Sequence, residues 1–194
     1  MSVLLSPIFE NSKSEDSLRG DSQTAQLLSL ILELLSFCVE HHNYHIRNCI
    51  FQKELLKHIL VLMKSKHTFL VLSKHSKFVI FHLIQFHLGA LRFLRKIIGL
   101  KDEFYTRHII AGNLLAPVVD ALIANNRRYN LLDSAVIELF EFIRTEEIKT
   151  LCIHLIEKYG EKLDTVDYVR TFKGLRTQFE QHQDRLRDRE THET

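Results

Sequence analysis

Apolar side chains recur along this chain at the three-to-four-residue spacing of helix faces, and no stretch alternates as a half-buried strand does. Leu27, Leu28, Ile31, Leu34, Leu35, Cys38 and Val39 fall on one side of a predicted first helix. Leu30 and Leu32 widen that face, so the helix is expected to be covered on more than one side. Asn43 and Tyr44 read as its end. A second helix, over about 52–64, gathers Leu55, Leu56, Ile59, Leu60, Leu62 and Met63. Later, Leu91, Leu94, Ile97 and Ile98 share a face, and Gly99 suits the position that ends a helix. Asp102 is a predicted N-cap for a short helix with Phe104, His108 and Ile109 turned inward and Gly112 as its stop. Asn113 is a predicted cap for the next, whose first turn tolerates Pro117 and whose buried stripe is Val118, Val119, Leu122 and Ile123.

The clearest helix follows Asn130, its predicted cap, with Asp133 in the first turn where the helix dipole favours an acid. Leu132, Ala135, Val136, Leu139, Phe140 and Ile143 line one side, and Glu138, Glu141 and Arg144 the other. Thr145 opens a further helix carrying Ile148, Leu151, Cys152, Leu155 and Ile156. A last one, over about 165–189, starts with Val166, Val169, Phe172, Leu175 and Phe179 and ends in alternating charges. At least seven such helices, paired through short turns, predict an all-α fold: an irregular armadillo/HEAT-like helical-repeat solenoid over 27–180. A compact helical bundle is the alternative.

Three segments fall outside this pattern. Residues 1–26 are Ser- and charge-rich with few large apolar groups, and are expected to be a flexible segment. Ser12, Ser14 and Ser17, beside Glu15 and Asp16, are candidate phosphorylation sites there. Residues 73–89 are aromatic, β-branched and histidine-bearing, unlike their flanks; this atypical insert is expected to bulge from the stack or break the helix pair, exposing Phe78-Val79-Ile80-Phe81, with a genuine extra helix as the alternative. Residues 181–194 are expected to be a charged, fraying helix end.

Composition narrows the class. Six Gly and two Pro in 194 residues are few for a loop-rich or all-β protein. A net charge of +2, with Lys and Arg dispersed among acids, argues against nucleic-acid or membrane-surface binding. Cys38, Cys49 and Cys152, odd in number and set among apolar neighbours, suit buried thiols in a reducing compartment. The apolar window 78–88 is shorter than a membrane span and carries two histidines. A soluble intracellular protein is expected.

Candidate chemistry is thin. His41 and His45, four residues apart, would share a helix face as zinc ligands do, but His42 stands where a metallopeptidase needs its glutamate and no third ligand follows. His67, His75, His82 and His87 have no ligand spacing. No nucleophile elbow and no Gly-rich phosphate loop is present, so no catalytic residue, cofactor or metal is predicted. Arg127-Arg128 at a turn could meet a partner's anionic group. On helical stacks partners dock along the exposed positions of inner helices, so Glu138, Glu141 and Arg144 are the candidate protein-contact residues.

The blocks LLSFCVEHHNYHIRN (34–48), LVLMKSKHTFLVL (60–72), ALRFLRKIIGLKDEFYTRHI (90–109), RRYNLLDSAVIELFEFIR (127–144) and DYVRTFKGLRTQFEQ (167–181) resemble the regulatory subunit 3 family of serine/threonine protein phosphatase 4, the suppressor-of-MEK or Falafel family. DSQTAQLL (21–28) fits the entry to that region. In the family pattern HTFLVL runs almost directly into ALRFLRKI, so 73–89 depart from it. The resemblance implies the later part of a central armadillo-like domain, without the EVH1-like module or acidic tail of that family. It further implies a non-catalytic subunit that associates with the phosphatase 4 catalytic and scaffold subunits in nucleus and cytoplasm, directing dephosphorylation of phosphoproteins such as DNA-damage-response factors. A generic armadillo/HEAT adaptor unrelated to phosphatase is the competing reading.

Overall fold

A computed structural model describes residues 2–12, 22–64, 77–125 and 130–192, all of its regular structure helical. The helices are α1 (Ser2–Ser12), α2 (Ser22–His41), α3 (Asn43–Gln52), α4 (Leu55–Val61), α5 (Lys77–Gly99), α6 (Glu103–Ala111), α7 (Ala116–Asn125), α8 (Leu131–Thr145), α9 (Lys149–Asp164) and α10 (Thr171–His192), with a 3-10 turn, Leu62–Lys64, after α4. They form two compact units, Met1–Val136 and Ile137–Thr194.

The first unit is organised by α2 and α5, its most extensively packed pair. Leu28, Ile31, Leu32, Leu35 and Val39 of α2 and Phe86, Ala90, Phe93, Leu94 and Ile97 of α5 are all buried. Gly89 lets the two helices approach closely: a Cβ there would lie 3.3 Å from Leu32 Cδ1. The expected bulge at 73–89 is therefore corrected for 77–89, which form the first half of α5. Phe86 opens the same i, i+4, i+7, i+8, i+11 stripe that Ala90, Phe93, Leu94 and Ile97 continue, so the segment joins its helix in register. Phe81 is exposed, and 73–76 lie outside the described residues.

The apolar arc of α2 is wider than the face its neighbours bury. Leu27, Leu30, Leu34 and Phe37 remain 43–56% exposed, so the expected cover on a second side is absent among the described residues. By length and composition the stretch Gln23–His41 is also apolar enough to cross a membrane. One face of it is buried, packed chiefly on α5.

Two expectations near the N-terminus need correction. Residues 2–12 form a helix: Leu5 and Ile8 are fully buried, and α1 packs against α4 and α2. Ser12 Oγ donates to the Phe9 carbonyl (3.0 Å) and lies 2.7 Å from His58 Nδ1, and the Phe9 ring meets His58 edge-on at 5.0 Å. Pro7 and the polar run that follows Phe9 hide a two-residue anchor that α4 and α2 make useful. α2 likewise begins at Ser22 and not at 27, while 13–21, with Ser14 and Ser17, lie outside the described residues. Second, Asn43 begins a helix. The chain breaks at His42 (φ −134°, ψ 38°), and α3 then buries Ile46 and Ile50 one turn apart. The helix expected over 52–64 is cut by Glu54, whose φ of 46° is left-handed, yet its six predicted apolar residues are all buried.

The predicted caps at Asp102 and Asn130 are present. Asp102 accepts from the Phe104 amide (2.9 Å) and Asn130 from the Asp133 amide (2.9 Å). Asn130 belongs to a buried polar cluster: its amide donates to Asn125 Oδ1 (2.7 Å), and the Asn125 amide donates to Asp133 Oδ1 (2.9 Å). Phe104 turns outward, 60% exposed, against the expectation. The helix starts at the predicted cap, but Tyr105 and not Phe104 takes the inward position. It stacks on Phe51 (5.1 Å) and donates to Asn43 Oδ1 (3.1 Å). Phe104 instead lies under the Arg47 guanidinium (4.1 Å), which also pairs with Asp102 (3.2 Å).

Glycine does not turn these helix ends. Gly112 has φ −79°, and the left-handed residue is Asn113 (φ 51°), which closes α6 with the hydrogen bonds Leu114 N to Ile109 O and Asn113 N to Ile110 O. Gly112 is needed for space, since a Cβ would sit 3.0 Å from Leu114 and 3.1 Å from the His108 carbonyl. Asn113 is thus the stop of α6, and its carbonyl accepts from the Ala116 amide (3.1 Å) where α7 begins. Lys101 (φ 52°) and not Gly99 takes the left-handed position after α5.

In the second unit, Leu139, Phe140 and Ile143 of α8 meet Leu151, Leu155 and Ile156 of α9 and Phe172 and Leu175 of α10 in one core, with Phe140 edge-on to Phe172 at 5.7 Å. Glu147 (φ 50°) turns the chain between α8 and α9 through Ile148 N to Ile143 O and Glu147 N to Arg144 O. α10 starts at Thr171, later than expected, because Thr165 to Arg170 form turns held by the buried Val166. Beyond Gln181 its described side chains are mostly exposed.

Two predictions follow from this packing. Ile8→Ala should lower unfolding free energy by about 2–5 kcal/mol in urea melts; a loss below about 0.5 kcal/mol would show that α1 is not docked. The second concerns His87, which is buried and donates Nδ1–H to the Leu83 carbonyl (2.6 Å), leaving Nε2 without a partner. Burial lowers its pKa, as it does for His108 and His154. The unfolded chain then binds more protons below about pH 6.5, so stability is full above that pH and falls as pH drops through the folded values. His87→Leu should make the loss between pH 6.5 and 5 shallower, read as the pH dependence of the urea midpoint.

Candidate protein-contact site

The predicted contact residues lie on α8 within the second unit, and the structure separates their roles. Glu138 is exposed. Glu141 and Arg144 are half-buried and paired with each other: Arg144 Nε donates to Glu141 Oε2 at 3.0 Å and its Nη2 to Oε1. The Arg144 hydrogen bond, then one from Thr171, holds the Glu141 carboxyl below its ordinary pKa. Arg144 is also covered by α10. A Cβ on Gly174 would fall 2.8 Å from Arg144 Cδ, and Gln178 Nε2 donates to the Arg144 carbonyl (3.2 Å). These two charges thus staple α8 to α10, and of the three only Glu138 presents its side chain fully outward.

α9 and α10 enclose a feature that sequence reading missed, a hollow of about 120 Å³ at the start of α9. Lys149, His182 and Arg185 line it, with Glu147 at the turn and Ile153 and Phe179 as apolar wall. α9 begins at Ile148 without a side-chain cap. The signal in the sequence is faint: Gln178, His182 and Arg185 recur at helical spacing, but nothing local says that Lys149 faces them. Cys152 closes the inner end, 4% exposed, its Sγ donating to the Ile143 carbonyl (3.7 Å). Burial pushes its thiol up to about 11.

His41 and His45 do not share a helix face, because the break at His42 ends α2 and restarts the chain as α3. Among the described residues no group of three or more His, Cys, Asp or Glu side chains is placed to hold a metal ion. His67, His75, Arg127 and Arg128 lie outside the described residues; His87 is a core residue, while His82 lines a different hollow between α2 and α5.

These features define a class: a protein helical throughout its described residues, in which charged side chains support helix–helix contacts and a hollow in the second unit offers cationic groups. The particular family follows from comparison. The profile of the family described as phosphatase 4 regulatory subunit 3 matches residues 1–181. A Drosophila melanogaster protein named serine/threonine-protein phosphatase 4 regulatory subunit 3 is 55% identical over 188 residues, 97% of this chain and 18% of that protein. A Mus musculus protein named PPP4R3C1 is 47% identical over 86% of this chain and 19% of its own length. The chain belongs to the phosphatase 4 regulatory subunit 3 family, and spans under a fifth of the length of these curated relatives. No solved structure matches it.

Buried acids with raised pKa values set an alkaline limit. Tyr105, 1% exposed, is pushed up to about 12, mainly by burial, and Cys152 to about 11. The unfolded chain releases these protons first, so their stabilisation is complete below about pH 9 and is lost as pH rises through 11 and 12. Cys152→Ala should flatten the fall in stability between pH 9 and 11, measured as unfolding midpoint against pH; an unchanged slope would mean that the thiol is solvated.

Proposed function

We propose that this chain forms part of the non-catalytic regulatory subunit of a protein phosphatase 4 complex, holding the catalytic subunit and the scaffold subunit through helical surfaces. Membership of the regulatory subunit 3 family over nearly the whole chain is the observation that carries the reading. The structure is compatible with it: the Arg176–Asp164 ion pair joins α10 to α9, and the Gln178 amide of α10 holds the Arg144 carbonyl of α8, which suits a rigid contact surface.

The finer architecture we propose is an irregular armadillo/HEAT-like stack acting in nucleus and cytoplasm. Support comes from helices mostly of 7 to 23 residues joined by left-handed turns at Lys101, Asn113 and Glu147. Its function would be to direct dephosphorylation by bringing phosphoproteins to the catalytic partner, which supplies the metals.

Affinity purification of the tagged chain from cells under mild lysis tests the association. Recovery of the phosphatase 4 catalytic and scaffold subunits, with dephosphorylating activity on the beads, is the expected result. A preparation rich in the tagged chain and free of any phosphatase would sink the proposal.

A further inference from the structure

We propose that the hollow between the first turn of α9 and the middle of α10 binds a phosphorylated serine or threonine in a segment of another protein. This rests on the regulatory reading above and names the class of ligand. Lys149 and Arg185 are exposed and have no ion-pair partner among the described residues, and His182 is half-buried beside them. Elsewhere, cations of the second unit such as Arg144, Arg176 and Arg187 are engaged by acids. The hollow brings these three basic side chains together against a single carboxylate, Glu147.

The chemistry favours one compact dianion. A guanidinium and an ammonium donate to phosphate oxygens with charge assistance, and the uncapped start of α9 adds the positive end of its dipole. About 120 Å³ accommodates one such group and not a run of carboxylates. Ile153 and Phe179 give the wall an apolar surface on which a side chain neighbouring the phosphorylated residue can rest. The Gln178 amide is already held by the Arg144 carbonyl, so the α8–α10 staple keeps one wall in place.

The test uses the 194-residue chain and three fluorescent peptide pools, randomised except at a central phosphoserine, serine or glutamate. Fluorescence anisotropy should show the phosphoserine pool binding at least about tenfold more tightly than the other two. Lys149→Gln with Arg185→Gln should abolish that preference with unchanged circular dichroism, since both side chains are exposed. Lys173→Gln, on the exposed side of α10, should bind as the parent does. Equal binding of the phosphoserine and glutamate pools, an unaffected double variant, or an equal loss in Lys173→Gln would each overturn the inference. No phosphatase is present in this assay, so its failure leaves the co-purification result standing.

Discussion

Everything in this protein depends on burying one stripe of each helix against another helix. Helices as short as α3, α4, α6 and α7 are marginal in water, because nucleating a turn fixes several dihedrals for one hydrogen bond. They persist here because Ile46, Ile50, Ile59, Ile109 and Val118 each leave water completely or nearly so. At about 25 cal/mol per Å² of apolar surface, that removal offsets much of the backbone entropy lost on ordering. The α2–α5 contact is the largest instance, and α1, α3 and α4 gather around it.

Polar groups work within that frame. Asn125, Asn130 and Asp133 satisfy one another where burial would otherwise make each costly. Arg144 buries its stem against Gly174 while its guanidinium remains with Glu141, so a surface ion pair of small intrinsic worth becomes a packing element. Lys149 and Arg185 find no such use and line a hollow. Charge that folding does not consume is what a regulatory surface has to offer a partner.

Much of the fold was legible because helix stripes are local. The apolar sets in α4, α5, α8 and α9, and the caps at Asp102 and Asn130, follow from spacing and from residues whose side chains reach a nearby amide. The misreadings share a cause. α1 has Pro7 and a polar flank, and its value lies in two residues that α4 and α2 cover. α3 restarts after a break whose backbone angles no propensity specifies. Residues 77–89 looked foreign by composition, yet their apolar register continues that of α5. Phe104 looked inward until Arg47, far away in sequence, supplied its partner. The contact residues Glu141 and Arg144 looked like an exposed face because α10, which covers Arg144, lies some thirty residues on.

By itself, then, the order of residues determined that this chain is helical, where most of its buried stripes lie and which family it joins, since spacing and long matching blocks are properties of the string. Tertiary structure alone decided which charges are spent in clamping helices and which remain for a partner. That choice turns on distances between side chains far apart in sequence, and packing, unlike helix periodicity, has no local signature.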